Sequence, residues 1–121
     1  MKTIDTPNAF KRLQQDLAEF AKERDWDQFH NPKNLVMALN GEVGELNELF
    51  QWLTTEQSEN FPAEKQEALA HELADIQLYL LRLAEKCHID LEAACDRKMA
   101  LNRAKYPVEK CFGKALKYNE L

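Results

Sequence analysis

Residues 39–52 read LNGEVGELNELFQW. Leu39, Val43, Leu46, Leu49, Phe50 and, just beyond, Leu53 recur at three- and four-residue intervals, which predicts one face of an amphipathic α-helix. Two features work against that helix. Gly41 and Gly44 each cost about 1 kcal/mol relative to alanine in a helix interior. Glu42 falls inside the apolar arc when the segment is projected at about 100° per residue, where a carboxylate is costly unless its charge is compensated. Glu45 lies about 60° to one side, a surface neighbour of Glu42. The glycines project on the Glu45 side, where a missing side chain lets a ligand or another helix approach the backbone.

Three further segments share the helical period. The first is expected to start at Thr6-Pro7, a capping residue before a proline, and to run to about residue 24 with a stripe of Phe10, Leu13, Leu17, Phe20 and Ala21. Asn31-Pro32 opens the segment quoted above, which extends to about residue 53. After a polar stretch, TTEQSENFPAEKQ, expected to be a mobile connection, Pro62 starts a helix reaching about residue 87, with Leu69, Leu73, Ile76, Leu80 and Leu83 in register. Asp90 can cap a last helix from Leu91 to about residue 105, which Pro107 ends. The tail from about 107 to 121 has too little periodicity to assign. Short connections between amphipathic helices predict an all-α, antiparallel four-helix bundle in a single domain spanning 1–121.

The 121 residues suit one core, and 45% hydrophobic against 31% charged is an ordinary globular balance. A net charge of -5 without a Lys/Arg block argues against nonspecific nucleic-acid binding. No apolar run approaches the roughly 18 residues of a membrane helix, and the N-terminus lacks a signal-peptide core, so the expected location is cytoplasmic. Cys87, Cys95 and Cys111 show no C-x-x-C spacing and read as reduced packing residues.

The helix predicted from Pro62 repeats the acidic arrangement. Glu72 falls at the edge of its stripe and Asp75 about 60° farther out, with Tyr79 between them. If the two helices pack on these faces, four acids converge. They cannot share a partly dry site while all ionised, so some hold protons or cations bind among them. Oxygen-only ligands suit a hard divalent ion such as Mg²⁺. The competing account is a pair of solvated charged faces. On the last helix Lys98 and Asn102 are i, i+4 and share a face with Lys105 nearby, fit for a triphosphate or simply for solvent. Trp26 sits in a loop, serving either core anchoring or base stacking; Trp52 projects off the apolar arc beside Glu45. His30 and His88 have no ligand-spaced partner.

EVGE at 42–45 and ELAD at 72–75 resemble the E-x-x-E…E-x-x-D signature of the all-α nucleoside triphosphate pyrophosphatases, the MazG-like superfamily. ERDWDQFHNPKNLVMALNGEVGELNELFQW, KCHIDL and KMALNRAKYPVEK resemble its dCTP pyrophosphatase branch over roughly residues 8–119. The resemblance implies hydrolysis of a nucleoside triphosphate to monophosphate and pyrophosphate with Mg²⁺, in a homotetramer (a dimer of dimers) whose sites draw on more than one subunit. It implies Glu42, Glu45, Glu72 and Asp75 as metal ligands, with Glu42, Glu45 and Lys98 catalytic. It implies Trp26, His30, Trp52, Tyr79, Lys98 and Asn102 as substrate contacts. Two departures stand out: Leu17 where animal members carry a histidine against the base, and Lys105 where they carry an arginine. The rivals are the same enzyme class acting on another nucleotide such as dUTP, and a noncatalytic helical interaction module.

Overall fold

The computed structural model describes residues 8–121, and these residues contain helices and no strands. They form two compact units that divide between Ile89 and Asp90.

In the first unit, α1 spans Ala9–Glu23. Its cap is Asn8, whose side chain accepts a hydrogen bond from the Lys11 N–H at 2.9 Å; the Thr6-Pro7 pair lies outside the described residues. The helix closes on a Schellman motif. Trp26 N–H donates to Ala21 O at 2.8 Å and Asp25 N–H to Lys22 O at 3.2 Å, with Asp25 in the left-handed region at φ 54. α2 spans Pro32–Phe50, with Asn31 accepting from Asn34 N–H at 2.9 Å and proline in the first turn. It stops three residues before the expected Leu53, because Leu53 N–H folds back onto Phe50 O.

The polar stretch expected to be mobile contains a short helix, α3, Thr55–Glu59. A reciprocal capping box makes it: Gln57 N–H donates to the Thr54 hydroxyl oxygen, and Thr54 N–H donates to the Gln57 side-chain oxygen. Pro62 starts a single 3₁₀ turn, Ala63–Lys65, rather than the long helix. That helix, α4, spans Gln66–Lys86 and ends like α1, with His88 at φ 57 and Ile89 N–H donating to Ala84 O at 2.9 Å.

α4 is the hub of this unit, packing on α2 and on α1. Leu35 from α2, Ala21 from α1, and Leu81 and Ala84 from α4 are the buried apolar residues among those described. Gln14 ties α1 to α4 by donating to the Leu81 carbonyl at 2.8 Å. Phe50 and Phe61, ring centroids 5.0 Å apart, join the end of α2 to the chain entering α4. Val36, Met37 and Val43 on α2 and Leu73 on α4 remain exposed, so these apolar arcs are wider than the core they cover.

Asp25 and His88 hold a conformation that costs a residue with a Cβ roughly 1 kcal/mol and glycine almost nothing. Asp25→Gly and His88→Gly are therefore each expected to raise stability by about 0.5–1 kcal/mol, read from urea melts; a loss in both would contradict the cap assignment.

In the second unit, α5 spans Leu91–Lys105 with Asp90 accepting from Ala93 N–H at 3.1 Å, as the sequence predicts. The unassigned tail contains α6, Val108–Cys111, and a 3₁₀ turn at Tyr118–Glu120. Tyr118 meets Tyr106 edge-on at 6.4 Å, and Lys105 Nζ lies 5.0 Å from the centre of the Tyr118 ring. Cys87 and Cys95 are exposed, contrary to a packing role for all three cysteines: Cys87 caps α4 where the chain leaves the helix.

Candidate metal and nucleotide site

Packing of α2 against α4 brings the acidic faces together. Glu42, Glu45 and Glu72 each offer a carboxylate oxygen within 4.8 Å of the others. Glu42 and Glu72 are half-buried, and Oε2 of each is shut off from solvent without a hydrogen-bond partner. Such atoms are costly unless a proton or a cation answers them.

A proton can do so only in part. Glu42 is pushed up to about 7, chiefly because its acid form donates to Glu72, then by burial and by the negative Glu45 and Asp75. Glu72 feels the opposite side of that contact, which lowers it, yet burial, Glu45 and Asp75 outweigh this and carry it upward. A proton on Glu42 can thus be shared with Glu72, while a third carboxylate stays close by. An oxygen-only cluster short of positive charge, with two orphaned oxygens, fits a hard divalent cation. Asp75 stands outside the three-carboxylate group but lines the adjoining cavity.

That cavity has a volume of about 470 Å³ and opens beside Glu42. α1 supplies an apolar wall of Leu13, Leu17 and Phe20, and α4 supplies Asp75, Tyr79 and Arg82. Trp26 and His30 close it from the turn between α1 and α2. Trp26 is 44% exposed with its ring edge-on to Phe20 at 5.6 Å, so it is anchored on one edge while another part lines the cavity. The ring thus packs against α1 and also borders the cavity. A predominantly apolar cavity with aromatic walls and a few polar groups is the usual form of a small-molecule site.

Trp52 does not line this cavity and is 86% exposed at the C-terminal end of α2. Lys98 and Asn102 lie on α5, in the second unit. Among the described residues, a Cβ at Gly41 or Gly44 would meet nothing within 4 Å.

Two residues of this region went unnoticed in the sequence. Arg82 is buried and Asp27 holds it, with Asp27 Oδ1 accepting from Arg82 Nη2 and from Lys86 Nζ, each at 2.6 Å. Two cations lower the Asp27 carboxyl, the Lys86 hydrogen bond foremost. The signal was present as spacing. Glu72, Asp75, Tyr79, Arg82 and Lys86 follow one another at three or four residues, a polar line along α4 beside its apolar stripe.

A family model for MazG-like proteins matches residues 37–121. The chain belongs to the MazG-like family. Among relatives of this MazG-like chain, dCTP pyrophosphatase 1 of Mus musculus is 51% identical over 106 residues, covering 86% of the chain and 62% of the mouse protein. The Homo sapiens protein of the same name is 48% identical with the same coverages. The chain thus spans about 62% of the length of these relatives. Among solved structures, a pyrophosphatase from Archaeoglobus fulgidus superposes with a TM-score of 0.79 at 34% identity, covering 88% of this chain and 99% of that one. The MazG-like fold therefore accounts for the all-helical architecture, and no helix among the described residues is long and apolar enough to cross a membrane.

Proposed function

We propose that the chain hydrolyses a nucleoside triphosphate, dCTP or a modified dCTP above others, to the monophosphate and pyrophosphate. The observation that carries this is the gathering of Glu42, Glu45 and Glu72 within 4.8 Å, two of them with orphaned oxygens, next to an aromatic-walled cavity. The name shared by the mouse and human relatives, dCTP pyrophosphatase 1, supplies the substrate.

In this proposal Glu42, Glu45, Glu72 and Asp75 hold Mg²⁺. When bound, the ion neutralises phosphate charge and lowers the pKa of water at the site. Glu42 or Glu45 accepts the proton of the water that attacks the α-phosphorus, and pyrophosphate leaves. Trp26, His30 and Tyr79 receive the base and sugar in the cavity. Lys98 and Asn102 serve the phosphates and sugar, with Lys98 opposing the charge of the leaving group. Trp52, exposed within one chain, takes its substrate contact in a homotetramer, a dimer of dimers of four-helix bundles. The exposed Val36, Met37, Val43 and Leu73 support that self-association, because wide apolar arcs call for a cover. A cytoplasmic location, with no nucleic-acid or membrane partner, completes the proposal.

A panel of nucleotides with MgCl₂, ranked by kcat/KM from pyrophosphate release, tests it. A cytosine deoxynucleotide should lead the ranking. No pyrophosphate from any nucleotide, together with no thermal shift from Mg²⁺ plus a nonhydrolysable analogue, would favour an interaction module instead.

A further inference from the structure

Arg82 is 4% exposed and makes three contacts with distinct parts of its guanidinium. Nη2 donates to Asp27 Oδ1 at 2.6 Å, Nη1 to Glu85 Oε2 at 3.4 Å, and Nε to His30 Nδ1 at 3.2 Å. The third contact determines a protonation state. Arginine is always a donor, so the imidazole nitrogen that receives its N–H carries no proton. The ring is then neutral with its hydrogen on Nε2, and among the described residues Nε2 makes no hydrogen bond, although His30 lines the cavity.

We propose that Arg82 is a positioning residue: it holds His30 as the neutral, Nε2-protonated tautomer, giving the cavity one fixed uncharged hydrogen-bond donor for an acceptor on the substrate's base. This rests on reading the cavity as the nucleotide site. An uncharged donor suits a ring nitrogen or carbonyl oxygen of a base, whereas an imidazolium would compete for the phosphates. The surroundings agree with the geometry. Burial lowers the His30 pKa first, then the charges of Arg82 and Lys86, against a smaller upward pull from Asp27. Asp27 serves the arrangement by pairing with both cations and fixing the turn that carries Trp26 and His30 onto α4.

The test uses the full chain and two measurements. ¹⁵N-histidine spectra at neutral pH, with His30 assigned by substitution, report which ring nitrogen holds the proton. The wild type should show His30 protonated on Nε2 alone, and Arg82→Lys, which keeps a cation for Asp27 but lacks the Nε donor, should show a tautomer mixture. In kinetics, Arg82→Lys should raise KM for the preferred nucleotide roughly 10-fold with kcat within about twofold, the pattern of lost uniform binding. That rise should vanish in a His30→Ala background, since coupled residues are not additive. A wild-type His30 that is cationic or protonated on Nδ1 overturns the proposal, and so does a KM rise that persists without His30. The wild-type spectrum needs no substrate, and the His30 substitution serves only to assign its resonances. An inactive wild type therefore counts against the hydrolase reading, while the wrong tautomer counts against Arg82.

Discussion

Glu45→Ala and Asp75→Ala should each lower pyrophosphate release from dCTP at saturating MgCl₂ by at least about 100-fold, while the folded state survives. The magnitude follows from what a divalent ion contributes to phosphoryl chemistry, several kcal/mol of charge stabilisation, at about 1.4 kcal/mol per tenfold. Both side chains are exposed, so neither truncation opens a cavity in the core. Glu45 belongs to the three-carboxylate group, and Asp75 lines the cavity while acting electrostatically on Glu42 and Glu72. The two substitutions thus probe opposite sides of one site from two helices. Thermal melts without Mg²⁺ should show each variant at least as stable as the wild type, because each removes a negative charge from a crowded cluster. Unchanged activity in both would remove this cluster from the chemistry.

Stability of the metal-free chain should fall as pH rises through neutrality. Glu42 is held up at about 7 in the folded chain and returns to the ordinary carboxylate value, 4.5, on unfolding. The folded state therefore binds more protons between these two values. Its stabilisation is complete below the lower one and is lost as pH rises through the upper one. Allowing for solvent around a half-buried group, the loss is about 1–2 kcal/mol between roughly pH 5 and pH 8. Glu72, also raised, adds in the same direction. His30 works oppositely: its lowered pKa favours folding as pH rises toward 6.5. Comparison with Glu42→Gln cancels the histidine and isolates the carboxyl. Urea melts in EDTA should show a steeper pH-dependent loss for wild type than for Glu42→Gln. Saturating MgCl₂ should abolish the wild-type loss, because the cation requires ionised ligands. Parallel pH profiles in EDTA would contradict a shared proton at Glu42.

The long helices were legible because their signals are local. Asn31-Pro32 and Asp90 announce their starts, and the apolar period of α2 and α4 persists over several turns. The misses came where a short-range signal competed. A capping box at Thr54 and Gln57 forms a helix too short for periodicity to reveal, and Pro62 initiates a 3₁₀ turn before the α-helix begins. Asn8, adjacent to the expected Thr6-Pro7 start, supplies the cap of α1.

By itself the sequence determined which residues could carry the chemistry: acids three apart on two amphipathic helices, since helix geometry alone makes i and i+3 neighbours. It also placed Tyr79, Trp26 and His30 as candidates whose company was unknown. Tertiary structure alone decided that α2 and α4 pack acid face to acid face, that Leu17 lines the same cavity as Trp26, and that Arg82 reaches across 52 residues of chain to the imidazole of His30. A carboxylate's proton affinity and a histidine's tautomer depend on burial and on neighbours remote in sequence, and only the packed helices supply those.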